Sequence, residues 1–110
     1  MANTFYRKLS RNIGTSNVAV GSYTVGSSIT TVVVGLTVCN VSGSTISVDI
    51  ALNDGSNDYF IVKGAPISAG GSIVPIGGEQ KIVLNTGDSI KVTSDASSSA
   101  DAILSIMEIS

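Results

Sequence analysis

Eight carboxylates, one thiol and no imidazole are the groups from which this 110-residue chain would have to build acid–base or nucleophilic chemistry. Without histidine it lacks the commonest general base and the commonest zinc ligand. A cupin-type metal site needs His, so that enzyme class is excluded on residue types alone. The lone Cys39 supplies neither a thiolate cluster nor an internal disulfide; within its apolar run it reads as a small buried hydrophobe. Neither a Walker loop nor a G-x-S-x-G elbow occurs. Asp49, Asp54, Asp58, Glu79, Asp88, Asp95, Asp101 and Glu108 offer in principle a carboxylate pair for glycoside hydrolysis. Most of them fall in turn-like segments or on polar faces, where a solvated acid is expected. The expectation is a non-enzymatic chain with no catalytic, cofactor-binding or metal-ligating residue.

Three short stretches invite binding chemistry. Asn53-Asp54-Gly55-Ser56-Asn57-Asp58 is dense in oxygen, as a Ca²⁺ site of 6–8 ligands requires, but it lacks the EF-hand register and a distal bidentate Glu. Asp-Gly is also the favoured hairpin turn, because it tolerates positive φ; a plain turn is expected. Asn40-Val41-Ser42 fits a glycosylation acceptor, yet reads as a polar turn at a strand end. Sugar recognition would call for aromatic platforms, and the chain has no Trp, only Phe5, Tyr6, Tyr23, Tyr59 and Phe60. Tyr59 and Phe60 adjoin, so on a strand one should face in and the other out. An outward Tyr59 would meet a glycan or, more economically, a neighbouring subunit.

The charge distribution says more. Met1–Arg11 holds Arg7, Lys8 and Arg11 and no acid, a formal +3, whereas the remainder sets three lysines against eight acids, a formal −5. Residues 1–16 therefore read as a basic N-terminal arm and 17–110 as a single body. Phe5, Tyr6 and Leu9 would anchor the arm on a partner, and Arg7, Lys8 and Arg11 would meet acidic surface. Nucleic acid is a weak candidate, because no basic stripe interleaved with aromatics exists. No apolar h-region follows the cations, so a secretory signal is not expected. No run approaches the roughly 20 apolar residues of a membrane helix. Charged residues make up 13% of the chain, against about 25% in ordinary soluble domains. Such a surface invites association, so a homo-oligomer is expected.

The elements that must carry these residues are strands. Val32, Val34, Leu36 and Val38 should point one way and Thr31, Val33, Gly35, Thr37 and Cys39 the other; with no charge on either face, the strand should be central. Ile46, Val48, Ile50 and Leu52 should face inward against Thr45, Ser47, Asp49 and Ala51 outward. Asn40–Ser44 between the two predicts a hairpin, and Asn53–Ser56 before Tyr59–Val62 predicts another. Pro75 confines Ile73–Ile76 to a sheet edge or a strand end. Val18–Val25, Gln80–Leu84, Ser89–Thr93 and Ala102–Ile109 complete about eight short strands with almost no helix. The fold class is all-β: an antiparallel β-sandwich or jelly-roll-like domain.

Lys8–Gly14, Gly21–Val25, Val34–Asn40 and Leu84–Val92 together resemble the small β-sandwich virion proteins of tailed bacteriophages, common among phages of marine cyanobacteria. The likeness covers nearly the whole chain and consists of strand-and-turn patterns rather than active-site signatures. It implies a non-enzymatic, multi-copy part of a virion, most simply a decoration or accessory protein on the capsid, neck or tail. It implies other virion proteins as partners and no cofactor. A receptor- or glycan-binding module of a tail fibre or baseplate is the alternative.

Overall fold

The computed structural model describes residues 3–79 and 81–110; Met1 and Ala2 of the expected arm and Gln80 of an expected strand lie outside the described residues. Nine strands run in the order β1 (Asn3–Ile13), β2 (Val18–Ala19), β3 (Thr30–Asn40), β4 (Ile46–Asn53), β5 (Asp58–Ile67), β6 (Ser72–Ile76), β7 (Ile82–Leu84), β8 (Ser89–Ser94) and β9 (Ala100–Ile109). They form two antiparallel sheets, β1-β9-β3-β6 with β7 also paired to β3, and β2-β8-β4-β5. A single 3₁₀ turn, Val20–Ser22, is the helical content among the described residues. This is the all-β sandwich expected from the period-two patterning.

The two sheets close on one apolar core. Leu36, Val38, Leu104 and Ile106 from one sheet and Val48, Ile50 and Val92 from the other are all fully buried there. Burying such β-branched and leucine side chains removes each from water at a gain of about 1.5–3 kcal/mol. That burial, repeated on both inner faces, fixes the register, since a one-residue slip would turn a whole apolar set outward.

Apart from the strand expected over Val18–Val25, which shortens to β2 followed by the 3₁₀ turn, four expectations change in the folded chain. Residues 3–13 are not an arm outside the body but the edge strand β1, paired with β9 from Asn3↔Ile109 to Ile13↔Ala100. An exposed outer phase hides such a strand from hydrophobic alternation. Secondly, Asn40–Ser44 is a bridge between sheets rather than a hairpin, because β3 and β4 belong to opposite layers. Asn40 holds that bridge. Its buried amide donates to the Ser44 and Ile67 carbonyls at 2.8 and 2.9 Å, and its side-chain oxygen accepts from the Ser42 N–H and hydroxyl.

The third change is in β3, where a bulge between Val33 and Gly35 switches the phase. Thr31 and Val33 face the core before it, Leu36, Val38 and Asn40 after it, so Val32 and Val34 do not join Leu36. Cys39 consequently sits half-buried on the outer phase rather than in the core. Finally, Tyr59 and Phe60 are both half-exposed, because β5 is an edge strand whose register with β4 slips twice. The β4–β5 turn does form the expected hairpin, and Pro75 does lie on an edge strand.

Candidate docking surface

Register decides what each outer face presents. Residues paired across antiparallel strands share a face, so Phe5↔Met107, Met107↔Val32 and Val32↔Val83 draw an apolar row across β1, β9, β3 and β7. At about 4.8 Å between strands, that row crosses four neighbours without a charge. A second row runs Leu9–Ile103–Thr37, with Arg7–Ser105–Gly35 between the two. Val74 on β6 extends the patch. Phe5, Leu9, Val74, Val83 and Ile103 are between 50% and 72% exposed. Scattered exposed apolar residues are ordinary; a contiguous face of them marks a contact surface.

The opposite face differs. There Asp49 pairs with Thr93, Ala51 lies between Phe60 and Lys91, and Asn53 between Asp58 and Ser89. Lys63 bridges to Asp49 at 3.3 Å and stacks its ammonium 4.3 Å from the Phe60 ring centroid. Exposed pairs of this kind contribute little to stability, but they make this face polar and solvated. The sandwich thus has one wet face and one apolar face.

The partner-binding residues expected from the sequence divide accordingly. Phe5, Arg7, Leu9 and Arg11 stand on the outward phase of β1 beside the apolar rows. Tyr6 and Lys8 take the other phase, toward the 3₁₀ turn. The Lys8 ammonium lies 5.2 Å from the Tyr6 ring centroid and 5.1 Å from that of Tyr23, within cation–π range. Lys8 is therefore held by its own molecule, while Arg7 and Arg11 face outward. Tyr59 is on β5, the far edge of the other sheet. Sequence reasoning missed Val74, Val83, Ile103 and Met107. A signal existed in Ala102–Ile109, which carries apolar residues on both phases.

The position of β1 is set from beneath. Gly21 approaches so closely that a Cβ there would lie 2.7 Å from Lys8 Cβ, and its φ of +63° disfavours any side chain. Its N–H donates to the Ser10 hydroxyl at 2.8 Å. Nearby, the Tyr23 hydroxyl donates to the Glu108 carboxylate at 2.7 Å and lies 2.7 Å from Thr31 Oγ1. Burial, assisted by Glu108, pushes the Tyr23 phenol up to about 12. This linkage ties the connection after β2 to β9 and β3, fixing the sheet that carries the apolar face.

At the Asn53–Asp58 turn the oxygens serve the turn itself. The Asn53 side-chain oxygen accepts from the Gly55 N–H, Asp54 Oδ1 from the Ser56 and Asn57 N–H groups, and Asp58 from the Asn53 and Asn17 amides. The Asn57 and then the Ser56 N–H hold the Asp54 carboxyl below its ordinary value. Among the described residues no three acid or thiol side chains converge as a metal site would require.

No protein-family model and no curated protein matches this chain. Solved structures do. One is from the acid-stable capsid of the Helicobacter pylori bacteriophage KHP30, at 10% identity and TM-score 0.56, over 100% of this chain and 94% of that one. Another comes from Bacillus endospore appendages, a family of disulfide-linked pili, at 9% identity and TM-score 0.53, over 100% and 91%. At such identities what is shared is the fold.

Proposed function

We propose that this chain is a non-enzymatic structural component of a tailed-phage virion, a multi-copy decoration or accessory protein. It docks on the capsid, neck or tail through β1 and the outer face of the β1-β9-β3-β6 sheet. One observation carries the reading: the uncharged rows Phe5–Met107–Val32–Val83 and Leu9–Ile103–Thr37 lie open on one face only. Covering them gains hydrophobic free energy in proportion to area, and Arg7 and Arg11 at the rim favour an acidic partner surface. Short β-branched and small polar side chains lose little rotamer entropy on docking. The fold shared with a phage capsid protein and a pilus protein agrees with a building-block role.

The test is incorporation into particles. Leu9→Lys with Ile103→Lys places two charges on the apolar face; Thr93→Lys places one on the polar face. The first variant should be missing from gradient-purified virions while keeping its circular dichroism spectrum, and Thr93→Lys should be retained. Equal incorporation of both would remove this face from the docking role. The side-by-side exposure of Tyr59 and Phe60 favours a second reading, a glycan-binding module of a tail fibre or baseplate. A reproducible glycan-array signal abolished by Tyr59→Ala would establish it instead.

A further inference from the structure

Both sheets end in strands with one open edge. Among the described residues β1 pairs only with β9, and β5 only with β4. The two stand on opposite flanks of the sandwich, β1 packing over the 3₁₀ turn and β5 beside β6. An open edge presents unpaired N–H and C=O groups and is normally blunted by proline, charge or bulges. The two prolines of the chain, Pro66 and Pro75, fall on β5 and β6, leaving Asp58–Lys63 and all of β1 without one; the pairing of β1 is regular from Asn3 to Ser10, and Asp58–Lys63 slips once against β4, between Phe60 and Val62.

The two flanks are complementary. β1 brings exposed Phe5, Tyr6 and Leu9 with Arg7 and Arg11; the start of β5 brings exposed Tyr59 and Phe60 with Asp58, and Asp54 in the turn before it, while Lys63 at the end of that segment is bridged to Asp49 of its own molecule. A β1 edge facing another β1 would set cations against cations. A β5 edge facing another β5 would set acids together and run into Pro66. Only the mixed pairing joins opposite charges and aromatic to aromatic. We propose that β1 of one molecule lies along Asp58–Lys63 of a second copy of this chain, continuing one sheet into the other across the two copies. Because the two patches differ, each contact leaves a free patch at either end, so copies add head to tail into a ring or a filament. This rests on the multi-copy reading above and supplies the contact between copies along the open edge of β1, next to the apolar face that meets the virion.

Sedimentation of the purified chain tests it. The wild type should form assemblies that shrink as salt rises from about 50 mM to about 500 mM, where screening falls to a few ångströms. Arg7→Glu/Arg11→Glu should be monomeric. Ser56→Lys/Asn57→Lys should be monomeric too, with its turn intact, since the backbone N–H groups of these residues hold it. Mixing the two variants should restore assembly, with heterodimer as its smallest unit, because each retains one native patch and the two altered patches are again of opposite charge. A wild type that stays monomeric at about 1 mM, assembly surviving in both variants, or no heterodimer on mixing would each overturn the proposal. A monomeric wild type that still joins virions would sink this contact and leave the docking role standing; an assembling chain absent from particles would do the reverse.

Discussion

Tyr23 shows how a single phenol binds distant parts of the chain. Its hydroxyl meets Thr31 on β3 and Glu108 on β9, and the Lys8 ammonium lies over its ring from β1. The folded-state pKa, raised from 10.0 to about 12, lies above the unfolded value. The folded state therefore holds the phenolic proton more tightly, and this contribution is complete below pH 10 and lost as pH climbs toward 12. Thermal melts at closely spaced pH values should show stability falling over that window. Tyr23→Phe should lose about 1–2 kcal/mol at neutral pH, since Glu108 and Thr31 each lose a partner, and should flatten the alkaline slope. A variant with an unchanged slope would place the alkaline sensitivity elsewhere.

At the scale of elements, β1 is the strand whose removal matters most. Deleting residues 1–11 would strip the edge of β9, expose the inner side above the 3₁₀ turn and unseat Lys8 from Tyr23. The truncated chain should melt at least several degrees lower and aggregate through the bared β9 edge; a disposable arm would leave melting and light scattering unchanged. Why β1 read as an arm is physical. Its outward phase carries Phe5, Arg7, Leu9 and Arg11, mixing apolar with charged, and its pairing partner lies at the other end of the chain. Elements whose signal is local were legible: the Asn53–Ser56 turn, the Pro75 edge, and the inward series Ile46, Val48 and Ile50. The β3 bulge and the route from β3 to β4 were not, because both depend on which sheet the next strand joins. The outer apolar face was visible only as a charge deficit; register alone gathers Ile103, Met107 and Val83 beside Phe5 and Leu9.

For the whole molecule, the order of strands governs how the sandwich comes together. Apart from β4 with β5, no consecutive strands pair among the described residues; the chain moves from one sheet to the other at nearly every connection. The last strand, β9, lies between β1 and β3, so one sheet has its centre supplied by the final residues. Loop closure over such separations costs entropy before any contact compensates for it. Refolding should accordingly take milliseconds to seconds, as for other non-local β-sandwiches. It should also be all-or-none: a chain stopped before Ala100 has β1 and β3 with no strand to join them, and Leu104 and Ile106 are missing from the core. Such a fragment should show no cooperative melt, and adding a peptide of residues 100–110 should restore one. A fragment that already melts cooperatively would mean that the β2-β8-β4-β5 sheet folds by itself. The same arrangement keeps Phe5 and Leu9 on β1 apart from Val32 and Val83 on β3 and β7 until β9 is seated, so the apolar outer face is complete only on a finished molecule.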